Sequence, residues 1–490
     1  MSGQTETELA FLTVAEQGRL IRERRISPLE LVDLYLTRIE MYDDVLRSYI
    51  TVDAEGARQA ARQAGQEIAD GRYRGPLHGI VFGVKDQLWS KRMPTTLAWS
   101  GMRNNRTAED AAVVESLERA GAILVGKHNL DQFGKGGTIN WDFGRARNPW
   151  DPDFSPAGSS GGSGAATAAG LCAAALGEDT GGSVRLPASA NGLVGIRPTF
   201  GRVSRYGGYM YGWTADTIGP LGRSAEDVAL FLREIAGHDR RDPLTSRKAV
   251  PDYQADLGLG IEALRVGIID NLVKADGVEA DIGRAFDESV SVLAGLGAKV
   301  GTTSLPLAHY SVPLLMLTSD ADVASAIGRK WLRSHYSQLD PGIRTRLAAA
   351  ALVPSSAYST AMRGRAVVRA EVLDRLKDFD ILVCPTVPNA PKRISGGPAR
   401  EVSGAGLDFQ RDVVLERMFT YPFSLANTPA ISIQNGVDSK GLPTGLQLIG
   451  RPFAEGLLLR VGAAFQGVTG WHNQHPALEE TLATHRDDTS

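Results

Sequence analysis

Apolar residues recur at helical spacing through the first 75 positions of the chain. Ser27, Pro28 and Glu30 form the pattern of a helix N-terminus, and the turns that follow carry an apolar face of Leu31, Leu34, Leu36 and Ile39. Residues 54–69, rich in Ala, Arg, Gln and Glu, predict another helix with one solvated face. We therefore expect residues 6–75 to be helical throughout, within an N-terminal region, 1–75, that packs on the rest of the chain.

From residue 76 the pattern changes to short apolar runs flanked by glycine. Residues 80–84 and 122–125 predict interior strands, and residues 111–120 between them predict a helix. The small residues 163–170 predict a central, buried helix. More strands are predicted at 264–269, 381–384, 430–433 and 446–450, and more helices near 280–296 and 342–378. This alternation is typical of an α/β sheet whose two faces are covered by helices.

The charge balance and the cysteine count exclude several classes of protein. Lys and Arg number 53 and Asp and Glu number 56 in 490 residues, a net charge of −3, which gives no overall attraction to nucleic acid or to a membrane. Cys172 and Cys384 are the only cysteines, so a disulfide framework and a Cys-rich metal site are excluded. The N-terminus lacks a signal pattern, and no apolar run approaches ~18 residues. We expect a soluble cytoplasmic protein.

Two Gly-Ser clusters and one lysine carry the candidate chemistry. Residues 158–163 read Gly-Ser-Ser-Gly-Gly-Ser, and residues 179–183 read Asp-Thr-Gly-Gly-Ser. A serine hydroxyl becomes a nucleophile when a base takes its proton and backbone donors stabilise the oxyanion. Lys85 follows an apolar strand-like run, where burial favours the free amine that a base requires. Taken alone, each signal is typical of a loop or of an ion-paired lysine, and only their combination indicates catalysis.

Competing motifs are weaker. Ser160 lies at the centre of a G-x-S-x-G match, but a stretch this rich in Gly and Ser matches that pattern easily. The phosphate-loop-like residues 121–127 are followed by His128 instead of Ser or Thr. The eight histidines have no metal-ligand spacing, so we expect no metal ion and no cofactor. Asp179 and Arg185 are expected to brace their loop as an ion pair.

These motifs together resemble the amidase signature family. The resemblance rests on residues 158–163, 177–185 and 195–199, and it extends to residues 75–80, 148–151, 201–204, 219–221 and 441–447, so it spans most of the chain. It implies a single α/β/α domain with a large mixed β-sheet covered by helices. The catalytic core would be residues 76–475, followed by a polar C-terminal tail, 476–490. The polar sequence of residues 479–490 itself predicts that this end frays.

The resemblance also implies the roles of individual residues. Ser183 would be the nucleophile, Ser159 a proton relay within a cis peptide bond, and Lys85 the base. The backbone of Thr180, Gly181, Gly182 and Ser183 would form the oxyanion hole. The implied partner is a small-molecule amide, ester or carbamate (urethane), and a homodimer is compatible with the family.

The substrate pocket is expected to be aromatic. Trp141, Phe143, Tyr209, Tyr211 and Trp213 lie near the serine loops in sequence, and we interpret them as lining an apolar acyl pocket, although half of such residues are ordinarily core. Residues 310–340 and 385–406 are expected to add pocket walls or lids.

Linear amide hydrolysis is the leading hypothesis, and two alternatives accompany it. The first is the glutaminase component of a tRNA-dependent amidotransferase, which this chain resembles at residues 75–79 and 202–207. Against it, residues 318–322 read Thr-Ser-Asp-Ala-Asp where such glutaminases carry a Phe-Asp-Gly-Val-Arg-like stretch, and residues 425–429 lack their usual glycine. The second is a non-enzymatic binding protein on the same fold, which the three intact catalytic candidates argue against.

Overall fold

The structure, a computed structural model, describes residues 6–135, 140, 142–394 and 407–486. Its strands in chain order are β1 Tyr49–Val52, β2 Val81–Lys85, β3 Ile123–His128, β4 Ala174–Asp179, β5 Val194–Arg197, β6 Thr217–Gly222, β7 Arg265–Ile269, β8 Lys299–Thr303, β9 Ile381–Pro385, β10 Ala430–Val437 and β11 Pro443–Gly450.

Helices lie between the strands and flank them. They are α1 Glu6–Phe11, α2 Val14–Arg22, α3 Pro28–Leu46, α4 Ala54–Ala69, α5 Ala112–Arg119, α6 Gly161–Ala168, α7 Arg185–Asn191, α8 Ala225–Ile235, α9 Asp270–Val273, α10 Ala280–Gly295, α11 Ser311–Ile327, α12 Arg329–His335, α13 Pro341–Ala350, α14 Ser355–Asp378, α15 Leu407–Met418, α16 Tyr421–Ala426, α17 Glu455–Thr469 and α18 Leu478–Arg486.

The strands form one mixed sheet, which confirms the predicted α/β fold. In the described residues the sheet has 11 strands in the order β1-β3-β2-β4-β6-β5-β10-β11-β9-β7-β8. Strands β3, β2 and β4 run parallel, the central pairs from β4 to β9 run antiparallel, and β9, β7 and β8 are parallel again. A continuous sheet of this width needs helices on both faces to keep its apolar side chains out of water.

Alternation along β9 shows how the two faces are filled. Ile381 and Val383 pack in one apolar core with Phe286 of α10, whereas Leu382 and Cys384 pack in a second core with Leu376 of α14. Successive side chains of a strand point to opposite faces, so one short apolar run contributes to both cores. The central helix α6 is buried along its whole length, as its small residues predict.

Three expectations from the sequence need correction. Residues 6–75 are not helical throughout, because Tyr49–Val52 forms the edge strand β1, which pairs antiparallel with β3. The helix expected near 342–378 is two helices, α13 and α14. The expected frayed tail is helical as far as Arg486, since Leu478 and Leu482 are buried in the main core. Sequence spacing missed this helix because only two apolar residues anchor it.

The N-terminal helices begin as their sequence predicts. The Ser27 side chain accepts from the backbone N–H of Glu30, and the Glu30 carboxylate accepts from the backbone N–H of Ser27. Each contact satisfies an otherwise unpaired donor at the start of α3. Within the described residues, no helix is both long and apolar enough to cross a membrane.

A glycine in β6 tests how tightly the central sheet is packed. A Cβ atom on Gly219 would overlap the backbone oxygen of Ile196, which cannot move without disturbing β5. We expect Gly219→Ala to lower the free energy of unfolding by about 1–3 kcal/mol through overpacking. The urea midpoint of purified protein measures the loss. Gly467→Ala is the matched control, because that α17 glycine has nothing within 4 Å of its Cβ position, and a loss at Gly467 as large as at Gly219 would contradict the account.

Candidate functional site

The parallel strands β2 and β4 bring the candidate residues to one edge of the sheet. Lys85 is the last residue of β2, and Glu178 and Asp179 end β4. Because Val84 pairs with Leu176 in parallel register, the carboxyl ends of both strands meet. The residue after Lys85 is held by a buried ion pair, in which Lys127 Nζ lies 2.8 Å from Asp86 Oδ1.

Lys85 is fully buried and its amine has three oxygen partners. Its Nζ lies 2.8 Å from Ser159 Oγ, 3.0 Å from Glu178 Oε2 and 3.3 Å from the Glu178 backbone oxygen. An ammonium group has three hydrogens to donate, so these partners satisfy it completely. The contact with Ser159 is the geometry that proton transfer between the two side chains requires.

The two serine loops lie against each other. Gly158 and Ser159 are joined by a cis peptide bond, as the family resemblance implies. The backbone N–H of Ser160 donates to the Ser183 carbonyl oxygen at 3.3 Å. Ser183 itself is half-buried, and across the described residues its Oγ has no hydrogen-bond partner. The structure therefore places Lys85 in contact with Ser159 and the Ser183 loop against the Ser159 loop. It shows no hydrogen bond between the Ser183 and Ser159 hydroxyls.

Asp179 organises the loop that carries Ser183. Its carboxylate accepts from the backbone N–H of Gly182 at 2.7 Å and forms ion pairs with Arg185 at 3.0 Å and Arg197 at 3.4 Å. Burial raises the pKa of Asp179, but the charges of Arg185 and then Arg197 outweigh it and hold that pKa well below its ordinary value. The ion pair expected between Asp179 and Arg185 is confirmed.

The predicted oxyanion donors are not equally available. The Gly182 N–H is already bonded to Asp179, and Gly182 adopts a φ of 120°, a backbone conformation that favours glycine. The Gly181 carbonyl accepts from the Thr420 hydroxyl at 2.7 Å, which fixes that peptide. Within the described part of the chain, the N–H groups of Thr180, Gly181 and Ser183 have no acceptor, so these three predicted donors remain unpaired.

Two buried carboxyls lie beside this loop that the sequence did not single out. The Thr180 hydroxyl lies 2.8 Å from Glu178 Oε1 and 2.8 Å from Asp216 Oδ1. Burial and then the charge of Glu178 raise the pKa of Asp216 to about 7. Lys85, Glu178, Thr180 and Asp216 therefore form one connected buried network.

The structure also contains an aromatic cavity of about 610 Å³, whose described lining does not include the network residues or Ser183. Trp331 is its central ring, 5.1 Å from Trp99, 5.9 Å from Phe133 and 4.4 Å from His335 between ring centroids. The remaining lining residues include Ser100, Met102, Arg103, Asn105, Tyr211 and Ile327. Rings from four distant parts of the chain thus form one apolar wall.

Two glycines connect the cavity to the network. Phe133 precedes Gly134, whose Cβ position is 3.7 Å from Glu178 Oε2. Tyr211 precedes Gly212, whose N–H donates to Asp216 Oδ2 at 2.8 Å. The cavity wall is therefore one residue away from the groups that contact Lys85 and Thr180.

The structure places the five predicted pocket aromatics differently. Among the described lining residues the cavity includes Tyr211 but not Phe143, Tyr209 or Trp213. Tyr209 packs behind Tyr211 with ring centroids 6.1 Å apart. Phe143 lies under the guanidinium of Arg103, and Trp213 is 54% exposed and covers Arg205. Trp141 lies outside the described residues.

Sequence reasoning missed most of the cavity. Trp99 lies far from the serine loops in sequence, and no local pattern marks Trp99 or Phe133 as pocket residues. Trp331 and His335 fall in residues 310–340, which were expected to form a pocket wall. That broader expectation agrees with the structure, because α11 and α12 supply one side of the cavity.

A family model and several known proteins match the chain. The model, described as Amidase, matches residues 30–459. A glutamyl-tRNA(Gln) amidotransferase subunit of Roseiflexus castenholzii is 38% identical over 497 residues, covering 97% of this chain and 99% of the relative. These matches extend well beyond the serine loops, to nearly the whole chain.

Solved structures give the same result. The corresponding glutamyl-tRNA(Gln) amidotransferase subunit from Thermotoga maritima superposes with a TM-score of 0.80 at 30% identity, covering 97% of this chain and 99% of that chain. A bacterial aryl acylamidase of the amidase signature family superposes with a TM-score of 0.85 at 25% identity, covering 94% of this chain and 97% of that chain.

Removing the charge of Asp179 tests its role in the loop. Asp179→Asn leaves Arg185 and Arg197 buried without their counter-charge, and we expect a loss of about 3–5 kcal/mol in the free energy of unfolding. Urea unfolding measures it. Because the pKa of Asp179 is lowered in the folded protein, its stabilisation is present above the ordinary carboxyl pKa of about 4 and is lost as pH falls through the lowered value. The difference in the free energy of unfolding between Asp179→Asn and the wild type should therefore become smaller only in strong acid.

Asp374→Asn is the control for that measurement. Asp374 pairs with Lys377 at 3.1 Å on the surface, where its side chain is 54% exposed. Exposed ion pairs contribute only about 0–1 kcal/mol to the free energy of unfolding. Equal losses in the two variants would show that the buried network contributes nothing particular to the fold.

Proposed function

The chain belongs to the amidase family, and on that basis we propose that it hydrolyses linear amide C–N bonds through an acyl-enzyme on Ser183. The observation that carries the proposal is the 2.8 Å contact between Lys85 Nζ and Ser159 Oγ, both of them buried. It supports a proton path from Ser159 to Lys85, next to a loop that presents the free hydroxyl of Ser183.

The proposed reaction moves two protons in sequence along this path. With Lys85 as a free amine, Ser159 gives its proton to Nζ and accepts the Ser183 proton, while Ser183 Oγ attacks the substrate carbonyl carbon. The developing oxyanion meets the N–H groups of Gly181 and Ser183. As the C–N bond breaks, the same path returns a proton to the leaving amine. Water then attacks the acyl ester and regenerates the Ser183 hydroxyl.

The aromatic cavity supports a substrate with an apolar or aryl group. Its rings offer stacking and edge contacts to such a group. Esters and carbamates present the same carbonyl to Ser183 and are proposed as further substrates.

The second candidate is the glutaminase component of a tRNA-dependent amidotransferase. The 38% identity to a glutamyl-tRNA(Gln) amidotransferase subunit over 97% of this chain favours it, and similarity to known proteins supports it more strongly than a stand-alone amidase. Both functions use the same proposed acyl-enzyme, so they differ in the substrate. Residues 318–322 and 425–429 depart from the glutamine-reading pattern of such glutaminases, and the cavity wall is aromatic. We therefore propose the stand-alone amidase first.

Ser183→Ala tests the nucleophile. We expect hydrolysis of an anilide to fall by at least about a thousandfold, since the attacking atom is gone. Wild-type protein mixed with a p-nitrophenyl ester should carry one acyl group on the peptide that contains Ser183, detected by mass spectrometry. Ser291→Ala, an exposed hydroxyl on α10 that donates to the Asp287 carbonyl oxygen, is the control and should retain full activity. Full turnover by Ser183→Ala would exclude the proposed nucleophile.

A substrate panel separates the two candidates. Aryl amides, alkyl amides, carbamates and glutamine are compared with the purified chain alone and with the other components of the amidotransferase added. We expect aryl amides to be preferred, and Trp331→Ala to lower kcat/KM for them by about tenfold or more through loss of apolar contact. Glutamine turnover that appears only with the added components would favour the amidotransferase function instead.

A further inference from the structure

Glu178 and Asp216 are buried beside the proposed base, but the proposed reaction gives them no role. Glu178 is 2% exposed and Asp216 is 3% exposed. Glu178 Oε2 lies 3.0 Å from Lys85 Nζ, and its other oxygen lies 2.8 Å from the Thr180 hydroxyl. The same hydroxyl lies 2.8 Å from Asp216 Oδ1. A carboxyl, a hydroxyl and a second carboxyl thus form a chain that ends on Lys85.

Counting protons along this chain restricts its charge. The Thr180 hydroxyl has a single hydrogen and can donate to only one of its two carboxyl neighbours. If both carboxyls were ionised, the Thr180 oxygen would lie 2.8 Å from one carboxylate oxygen with no hydrogen between them. Such a contact between two acceptors is unfavourable inside the protein. One carboxyl must therefore carry a proton and donate it to Thr180 Oγ1.

Lys85 decides which carboxyl holds that proton. Its Nζ lies 3.0 Å from Glu178 Oε2, so a negative charge on Glu178 is stabilised by a direct ion pair with the ammonium. Asp216 has the Gly212 N–H on its other oxygen, and among the described residues its carboxylate forms no ion pair. The proton therefore lies on Asp216, and the Thr180 hydroxyl donates its hydrogen to Glu178. Glu178 also accepts a hydrogen bond from the Lys85 ammonium. The raised pKa of Asp216, about 7, agrees with this order.

We propose that Glu178 is the positioning residue of Lys85. A proton held on Asp216, which is linked to Glu178 through the Thr180 hydroxyl, determines how much negative charge the network presents to Lys85. This deepens the proposed function and rests on it, because it concerns Lys85 as the base. Glu178 fixes Nζ against Ser159 and stabilises the ammonium that forms when Lys85 takes the Ser159 proton. Asp216 acts only through Thr180 and Glu178.

Asp216 links the site to pH. While Asp216 is protonated, Thr180 can donate to Glu178, and the network carries a single negative charge for one ammonium. When Asp216 ionises, a second buried negative charge stabilises that ammonium and opposes release of the free amine. Other charged groups that act on Asp216 or Glu178 are Lys135, Arg205 and Arg197.

Glu178→Gln and Asp216→Asn test the proposal through the pH profile of kcat/KM for a neutral aryl amide. Without the Glu178 charge, the ammonium of Lys85 loses its counter-ion, so the limb where activity rises with pH should move down by about one unit or more, and kcat on the plateau should fall. Asp216→Asn should move that limb in the same direction by less. A merely structural role would change activity equally at every pH.

Thr180 variants test the link itself. Thr180→Val keeps the side-chain shape but removes the hydroxyl, and it should alter the limb of the profile. Thr180→Ser restores a hydroxyl and should restore the wild-type profile. Glu118→Gln is the control, because burial raises the pKa of that carboxyl too, yet α5 ends at Arg119 before the start of β3, away from the strand ends that hold Lys85. It should leave the profile unchanged.

An infrared measurement makes the proposal independent of hydrolysis. Wild-type protein and Ser183→Ala should both show the carbonyl band of a protonated carboxyl that titrates near neutral pH, and Asp216→Asn should lose it. If no substrate is turned over but this band is present, the proposed function is wrong, whereas the proposed proton on Asp216 is supported. Absence of the band in wild type, or a Glu178→Gln profile that superposes on wild type, would overturn the proposal.

Discussion

The site depends on satisfying an amine that is buried away from water. Lys85 has no solvent contact, so each hydrogen on its Nζ must find a protein acceptor or cost free energy. The acceptors are the Ser159 hydroxyl, the Glu178 carboxylate and the Glu178 backbone oxygen. Parallel strands supply this arrangement directly, because β2 delivers the lysine and β4 delivers the glutamate to the same edge of the sheet. The loop that precedes α6 places the Ser159 hydroxyl against the same amine.

A second buried network holds the nucleophile loop in place without touching the amine. Asp179 bonds the Gly182 N–H and two arginines, and its two carboxylate oxygens are thereby fully used. Its neighbour in sequence, Glu178, points instead to Lys85 and Thr180. Adjacent carboxylates at the end of one strand thus serve opposite faces, one bracing the loop and the other facing the base. This division follows from the alternation of side chains along a strand.

The sequence predicted the parts of this arrangement that depend on local pattern. The α/β sheet, the buried helix α6, the two serine loops and the lysine at the end of β2 all follow from apolar runs and Gly-Ser spacing. Long-range placement could not be predicted in this way. Trp99 and Trp331 meet only because α12 folds back over the loop after β2, and Asp216 reaches Thr180 only through the turn before β6. Edge strand β1 was missed because four residues between helices carry too little pattern to show a change of period.

Lys85 is the group proposed to activate Ser183, so the most direct measurement is the acylation rate of Ser183 in folded Lys85→Met protein. Single-turnover reaction with an activated aryl ester, followed by mass spectrometry of the acylated peptide, gives that rate without relying on deacylation. We predict that acylation falls by orders of magnitude and loses the rise with pH that a lysine base gives the wild type. Acylation at the wild-type rate with an unchanged pH dependence would contradict it.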